Sequence, residues 1–149
     1  LPKRADTLTA YLEKLSDENR VIVSDRKTPQ NRTILTKYRV LETRGGNSLL
    51  EVDLLTGRTH QIRAHLAAAG YPIIGDAKYG NFAENRKIAL KYDLTTQFLH
   101  AYMLKFYEAE SVLSYIKGRE IRAALPQNYK RIVIDLFGKA EPVRKYAEI

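Results

Sequence analysis

Two strand-patterned runs, Tyr38 to Thr43 and Ser48 to Leu55, are separated by Arg44-Gly45-Gly46-Asn47, and no other feature constrains the fold as strongly. A tight hairpin turn needs positive φ at its centre, which glycine and asparagine adopt at little cost. The spacing therefore predicts an antiparallel hairpin. Upstream, Asp6 as a helix cap and Leu8, Tyr11, Leu12 and Leu15 at helical spacing predict a short helix over 7–16. Val21-Ile22-Val23 predicts a strand. Asp25 to Arg32, charged and containing Pro29, predicts a surface loop able to track a phosphate backbone.

Downstream, Ile62, Leu66 and Ala69 fall at i, i+4 and i+7 with Gly70 behind them, which predicts a helix over 59–69. A weaker helix over 84–92 and a strand over 99–107 follow. Next come a hairpin of 111–116 and 120–124 about Lys117-Gly118-Arg119, and a last helix over 128–137 stopped by Gly138. Residues 139–149 are polar, contain Pro142 and lack an apolar period, and are expected to form a mobile tail. Strands joined mostly by hairpins, with helices between them, predict an α+β domain over 1–138. Its sheet is expected to be mixed and largely antiparallel with flanking helices, not doubly wound and parallel.

Of the 149 residues, 44% are hydrophobic, enough for one core. No run approaches the roughly 18 apolar residues of a membrane span, and no leader pattern opens the chain, so a soluble protein is expected, with the cytoplasm as its default location. Without cysteine there is neither a disulfide framework nor a thiolate metal site. Lys and Arg number 25 against 17 Asp and Glu, a formal charge of +8. Such a balance is that of a polyanion binder, which makes nucleic acid the first candidate partner, although solubility alone also accounts for it. The first residue is Leu1 and the single methionine is Met103, so the chain is expected to be a fragment, a processed product or a trimmed sequence.

The densest polar cluster runs from Thr56-Gly57-Arg58-Thr59 through His60-Gln61-Ile62-Arg63 to His65, where a strand turns into a helix. Free backbone N–H groups and the positive end of the helix collect anions at such a junction. Arg58 can aim a planar five-donor fork at a carboxylate or phosphate. Arg63, beside the apolar stripe of Ile62 and Leu66, needs an acidic partner if it is buried, and otherwise snorkels to solvent. His60 and His65 are five apart, the wrong spacing for a zinc pair on one helix face, and Gln61 cannot act as a base. Hydrogen-bonding roles are expected for them and for His100, and no metal site is expected. Gly75-Asp76 with Tyr79-Gly80 reads as turn chemistry with no second carboxylate nearby in sequence.

The run Thr56 to Arg63, then His65-Leu66, Gly70, Pro72-Ile73, Gly75-Asp76 and Tyr79-Gly80, resembles the TGRTHQIR…HL…G-x-P-x-x-GD…YG signature of the RluA/RluC/RluD-type RNA pseudouridine synthases. Tyr38-Arg39-Val40 and Phe98-Leu99-His100-Ala101 agree more loosely, and the resemblance covers about residues 8–126. It implies a catalytic domain that isomerises chosen uridines of ribosomal or transfer RNA without metal or organic cofactor, through an essential aspartate. It also implies that a basic residue of the motif pairs with that aspartate, Arg63 in the first place and Arg58 as the alternative. Arg58, Thr59, His60, Gln61, Lys78 and Tyr79 would then face RNA.

Two departures accompany the match. The family's aspartate lies in an HRLD-like motif that does not occur here, and its K-x-Y-like tyrosine is also absent; Tyr38 sits among neighbours that fit a later strand. Tyr71 replaces a common histidine and Ala64 a common valine. The chain is accordingly expected to be inactive alone, to need an upstream catalytic segment of its parent, and to self-associate through the surface that segment would cover. The rival reading is a basic RNA-binding module without catalysis.

Overall fold

The computed structural model describes residues 1–15, 18–108, 111–139, 141, 143 and 144. They form two compact units, Leu1–Phe98 and Leu99–Ile149. The fold is α+β as expected, and every described strand pair is antiparallel.

The first unit is built on a four-stranded sheet in the order β2-β1-β3-β4, from β1 (Ala5–Leu15), β2 (Arg20–Ser24), β3 (Arg32–Arg44) and β4 (Asn47–Leu54). The hairpin of β3 and β4 forms where the Gly-Gly turn requires it, with Arg44 opposite Asn47 and φ of 57° at Gly45 and 78° at Gly46. Both angles are left-handed, the twist that matches the flanking strands. β2 and β3 lie on opposite sides of β1, so residues 25–31 cross from one side to the other. Asn31, 5% exposed, braces this expected loop by accepting from Thr28 N (3.0 Å) and donating to Arg26 O (2.9 Å).

The helix expected over 7–16 is instead β1, and the reason lies in periodicity. Leu8 and Leu12 are four apart, which is both a helical repeat and an even strand interval, so they fit either period. The strand wins because both sides of β1 are paired, from Ala5 opposite Arg39 to Leu12 opposite Arg32 on one side, and from Tyr11 opposite Ser24 to Leu15 opposite Arg20 on the other. Ala10 and Leu12 then point into the core beside Val21 and Ile34. A helix would have left those partner strands without their ladder.

One helix, α1 (Gln61–Ala68), lies against β1, β2 and β3 and closes that core through Ala64. It begins two residues later than expected because His60 adopts a left-handed conformation, φ 53°. A second helix, α2 (Phe82–Tyr92), is capped by the Asn81 side chain, which accepts from Ala83 N and Glu84 N.

In the second unit β5 (Met103–Lys105) pairs with β6 (Glu120–Arg122), and α3 (Gln127–Phe137) buries Ile132, Val133 and Phe137 and ends at Gly138 as expected. Residues 111–116, expected as a strand, form a 3-10 helix. The turn at Gly118 leads β6 back to Phe106 instead, through Phe106 N to Arg119 O and Gly118 N to Phe106 O. Val112 and Tyr115 are 83% and 66% exposed, so the apolar character of this run has no buried face to align it as a strand. Within the expected tail, Val143 is fully buried and 141, 143 and 144 are helical. Residues 140, 142 and 145–149 lie outside the described residues.

Candidate active site at the strand-to-helix junction

The path from β4 into α1 is built around Gln61. Its side-chain oxygen accepts from Arg58 N (3.0 Å) and Thr56 Oγ1 (3.0 Å), while its Nε2 donates to Leu35 O (3.0 Å) and Thr36 Oγ1 (3.1 Å). These four bonds use the whole capacity of the amide. Gln61, expected to face RNA, is 2% exposed and acts as an internal bracket that joins the junction to β3. Thr36 Oγ1 is also 2.9 Å from His65 Nδ1. The Thr36 hydroxyl, which accepts from Gln61, thus also lies within hydrogen-bonding reach of the buried His65 ring.

Arg63 makes the strongest interaction of the site. Its Nε and Nη2 donate to Asp76 Oδ2 and Oδ1, both at 2.8 Å, in a two-point fork. Asp76 is 1% exposed, and its Oδ1 also accepts from Lys78 N (2.9 Å) and Tyr79 N (3.1 Å). Burial pushes the Asp76 carboxyl up. The Arg63 guanidinium and the two backbone N–H groups outweigh it and hold the carboxyl below the usual carboxylate range. The expected turn at Gly75-Asp76 is present, and it doubles as the acidic partner that a buried Arg63 requires.

Two glycines let this turn close. A Cβ on Gly75 (φ 77°) would meet Thr96 O at 2.2 Å, and one on Gly80 would meet Asp76 O at 2.2 Å and Asn85 Nδ2 at 2.7 Å. Both sites need a residue without a side chain, which accounts for the glycines of the GD and YG pairs.

Tyr79 ties the turn to the sheet. Its hydroxyl accepts from Val21 N (2.9 Å) and lies 3.1 Å from His60 Nδ1. The guanidiniums of Arg20 and Arg63 lie over the Tyr79 ring, 5.7 Å and 5.4 Å from its centroid, as cation–π contacts. Lys78 Nζ donates to Asn19 O (2.6 Å). His60, Lys78 and Tyr79 are thus half-buried and hold the fold together, whereas Arg58 and Thr59 are exposed, with no side-chain hydrogen bond or ion pair among the described residues. His100 Nε2 lies 3.1 Å from Ala123 O.

Burial lowers the pKa of His65, and burial followed by the charges of Arg63 and Lys78 lowers that of His60. For a group depressed on folding, its share of stability is full above its unfolded value, about 6.5 for histidine. That share is lost as pH falls through the lower folded values. The urea midpoint is therefore expected to fall between pH 7.5 and 5, and His65→Gln, which keeps a hydrogen-bonding partner for Thr36, to flatten the fall. A midpoint constant over that range would contradict the lowering of the two histidine pKa values by burial.

The sequence profile described as RNA pseudouridylate synthase matches residues 1–68. An uncharacterized RNA pseudouridine synthase of Chloroflexus aurantiacus is 43% identical over 112 residues, 75% of this chain and 32% of that protein. The ribosomal large subunit pseudouridine synthase D of Buchnera aphidicola is 36% identical over 111 residues, 68% of this chain and 33% of its own. The chain belongs to the RNA pseudouridylate synthase family. It spans about a third of the length of these two relatives. Human RNA pseudouridylate synthase domain containing 1 superposes with a TM-score of 0.63 at 25% identity, covering 85% of this chain and 50% of that one. Human RNA pseudouridylate synthase domain containing 4 shares the fold, with a TM-score of 0.51 at 19% identity over 85% and 54% of the two chains. Family members are enzymes of the isomerase type, and the antiparallel sheet with flanking helices is their architecture. Among the described residues no helix is long and apolar enough to cross a membrane.

Proposed function

We propose that this chain carries the arginine-bearing part of an RNA pseudouridine synthase active site, and that the protein it serves isomerises chosen uridines of ribosomal or transfer RNA in the cytoplasm. One observation carries the reading: the two arginines of the junction have different employment. Arg63 spends its fork on Asp76 inside the chain, while Arg58 is exposed at the helix entrance on a backbone fixed by Gln61.

The family resemblance puts Arg63 first as the partner of the catalytic aspartate and Arg58 second, and the Asp76 clamp supports the opposite order. Arg63 becomes the positioning residue that ties α1 to the Gly75–Gly80 turn. Arg58 is the fork available to an incoming carboxylate or to substrate phosphate, with Thr59 beside it. A guanidinium facing the catalytic carboxylate keeps it ionised and oriented. In the reaction the N1–C1′ bond of uridine breaks, the uracil turns, and C5 bonds to C1′ while C5 loses its hydrogen as a proton and N1 takes one up.

Loss of that hydrogen supplies the test. With RNA tritiated at uridine C5, the 149 residues alone are expected to release no tritium, because the aspartate motif is absent. Supplying an aspartate-bearing segment in trans, or joined to the chain, is expected to restore release. The chain alone is expected to bind RNA with a salt slope of about −0.7 per phosphate contact on single strands. Release by the chain alone would overturn the aspartate requirement. A binding curve that is flat in salt would overturn the electrostatic RNA surface. Salt-sensitive binding with no release after the aspartate segment is supplied would leave the non-catalytic RNA module as the better reading.

A further inference from the structure

The two faces of α2 differ in character. Its inner face is fastened down: the Asn85 amide accepts from Gly75 N (2.7 Å) and donates to Asp76 O (2.9 Å), and Tyr92 is 9% exposed. Its outer face carries Phe82, Arg86 and Leu90 at i, i+4 and i+8, a stripe about 12 Å long at 1.5 Å per residue. Phe82 is 83% and Leu90 82% exposed, and Arg86 is exposed between them. Lys87 and Lys91 flank the stripe. The only acid on the helix, Glu84, is taken by Lys87 at 2.7 Å.

We propose that this outer face of α2 is an RNA-contact surface separate from the Arg58 junction, receiving an unpaired base on Phe82 and Leu90 and an adjoining phosphate on Arg86. The proposal rests on the RNA reading above and adds a surface to it. Charge selects the occupant. Arg86, Lys87 and Lys91, the last lying over the Tyr92 ring, outnumber the single acid of this helix, and the positive charge of Arg86 in the middle of the apolar stripe complements a polyanion. Single-strand binders combine these same elements, an aromatic platform that stacks a base and cations that follow the backbone. Recognition of RNA loops likewise uses splayed bases on aromatic rings. Asn85 makes the platform rigid by fixing the helix to the turn that also holds Arg63.

The test compares binding of the chain to a stem–loop RNA and to a blunt duplex of equal length. Phe82→Ala is expected to weaken stem–loop binding about tenfold, the scale of one lost stacking contact, and to leave the duplex unaffected. Phe82→Trp should retain stem–loop binding and Phe82→Leu should not. Arg86→Gln is expected to reduce the salt slope by about 0.7. Because these side chains are exposed, the urea midpoint should not move, so a binding loss is not an unfolding artefact.

Unchanged stem–loop affinity in Phe82→Ala, with binding still lost in Arg58→Ala, overturns this surface and leaves the RNA reading intact. Absence of RNA binding by the unsubstituted chain removes both. If Phe82→Ala instead abolishes self-association in sedimentation, or adsorption to phosphatidylserine vesicles, while RNA affinity stays the same, the face belongs to protein or membrane and the proposal fails.

Discussion

Asp76→Asn is expected to remove a large part of the stability of the first unit. The Asp76 side chain is fully buried and that of Arg63 15% exposed, so the substitution leaves a guanidinium facing a neutral amide with little water to compensate. Removing one partner of a buried ion pair costs about 3–5 kcal/mol. A small domain has only about 5–15 kcal/mol in total. The loss also reaches beyond the pair, because the Asp76 carboxylate orders Lys78 N and Tyr79 N, and Tyr79 in turn holds Val21 and His60. Urea unfolding should show a much lower midpoint for Asp76→Asn. Replacing both Arg63 and Asp76 should cost less than the sum of the single changes, since no stranded charge remains. Glu84→Gln serves as the comparison: it breaks the pair with Lys87, whose side chains are 59% and 71% exposed, and should leave the midpoint in place. An Asp76→Asn midpoint equal to that of the unsubstituted chain would show that the clamp does not hold the fold.

The second large effect concerns turnover in the protein that carries this segment together with the aspartate motif. There Arg58→Lys is expected to lower turnover at saturating RNA by about 10² or more, the scale of losing one preorganised electrostatic partner. Lysine keeps the charge but not the planar fork, so a two-point contact with a carboxylate is lost. Its Tm should be unchanged, because the Arg58 side chain is exposed and only its backbone is bonded to Gln61. Arg63→Lys should show the reverse pattern, a lower Tm with a smaller change in turnover wherever the protein remains folded. If Arg63→Lys cuts turnover at full folding while Arg58→Lys leaves it intact, Arg63 is the direct partner after all. A loss in Arg58→Lys confined to RNA affinity would make Arg58 a phosphate contact.

Much of the scaffold around these residues is legible in the sequence. The Gly-Gly hairpin, α1, α2 and α3 are all announced by local chemistry: turn glycines, an apolar period, and helix stops at Gly70 and Gly138. The family signature marked the junction and the Gly75–Gly80 turn, although what its glycines and aspartate do there became clear only from the 2.2 Å approaches and the two-point fork. The shortage of charge partners around Arg58 and the outward stripe of Phe82, Arg86 and Leu90 were not visible either, since exposure depends on what the rest of the chain covers.

What the sequence determined by itself is the set of features whose causes lie within a few residues. These are the turns, the amphipathic helices, the net positive charge, and the residue types gathered at one strand-to-helix junction. Tertiary structure decided the rest. β1 is a strand because its backbone finds partners 20 to 34 residues away, from Leu12 opposite Arg32 to Ala5 opposite Arg39. The choice between two periods that Leu8 and Leu12 satisfy equally was made by those ladders. Arg63 is internal and Arg58 external for the same kind of reason: a carboxylate 13 positions along the chain is brought within 2.8 Å of one guanidinium, and no described side chain is brought to bond the other. Local sequence sets which groups are present, and long-range packing sets which of them are left for a substrate.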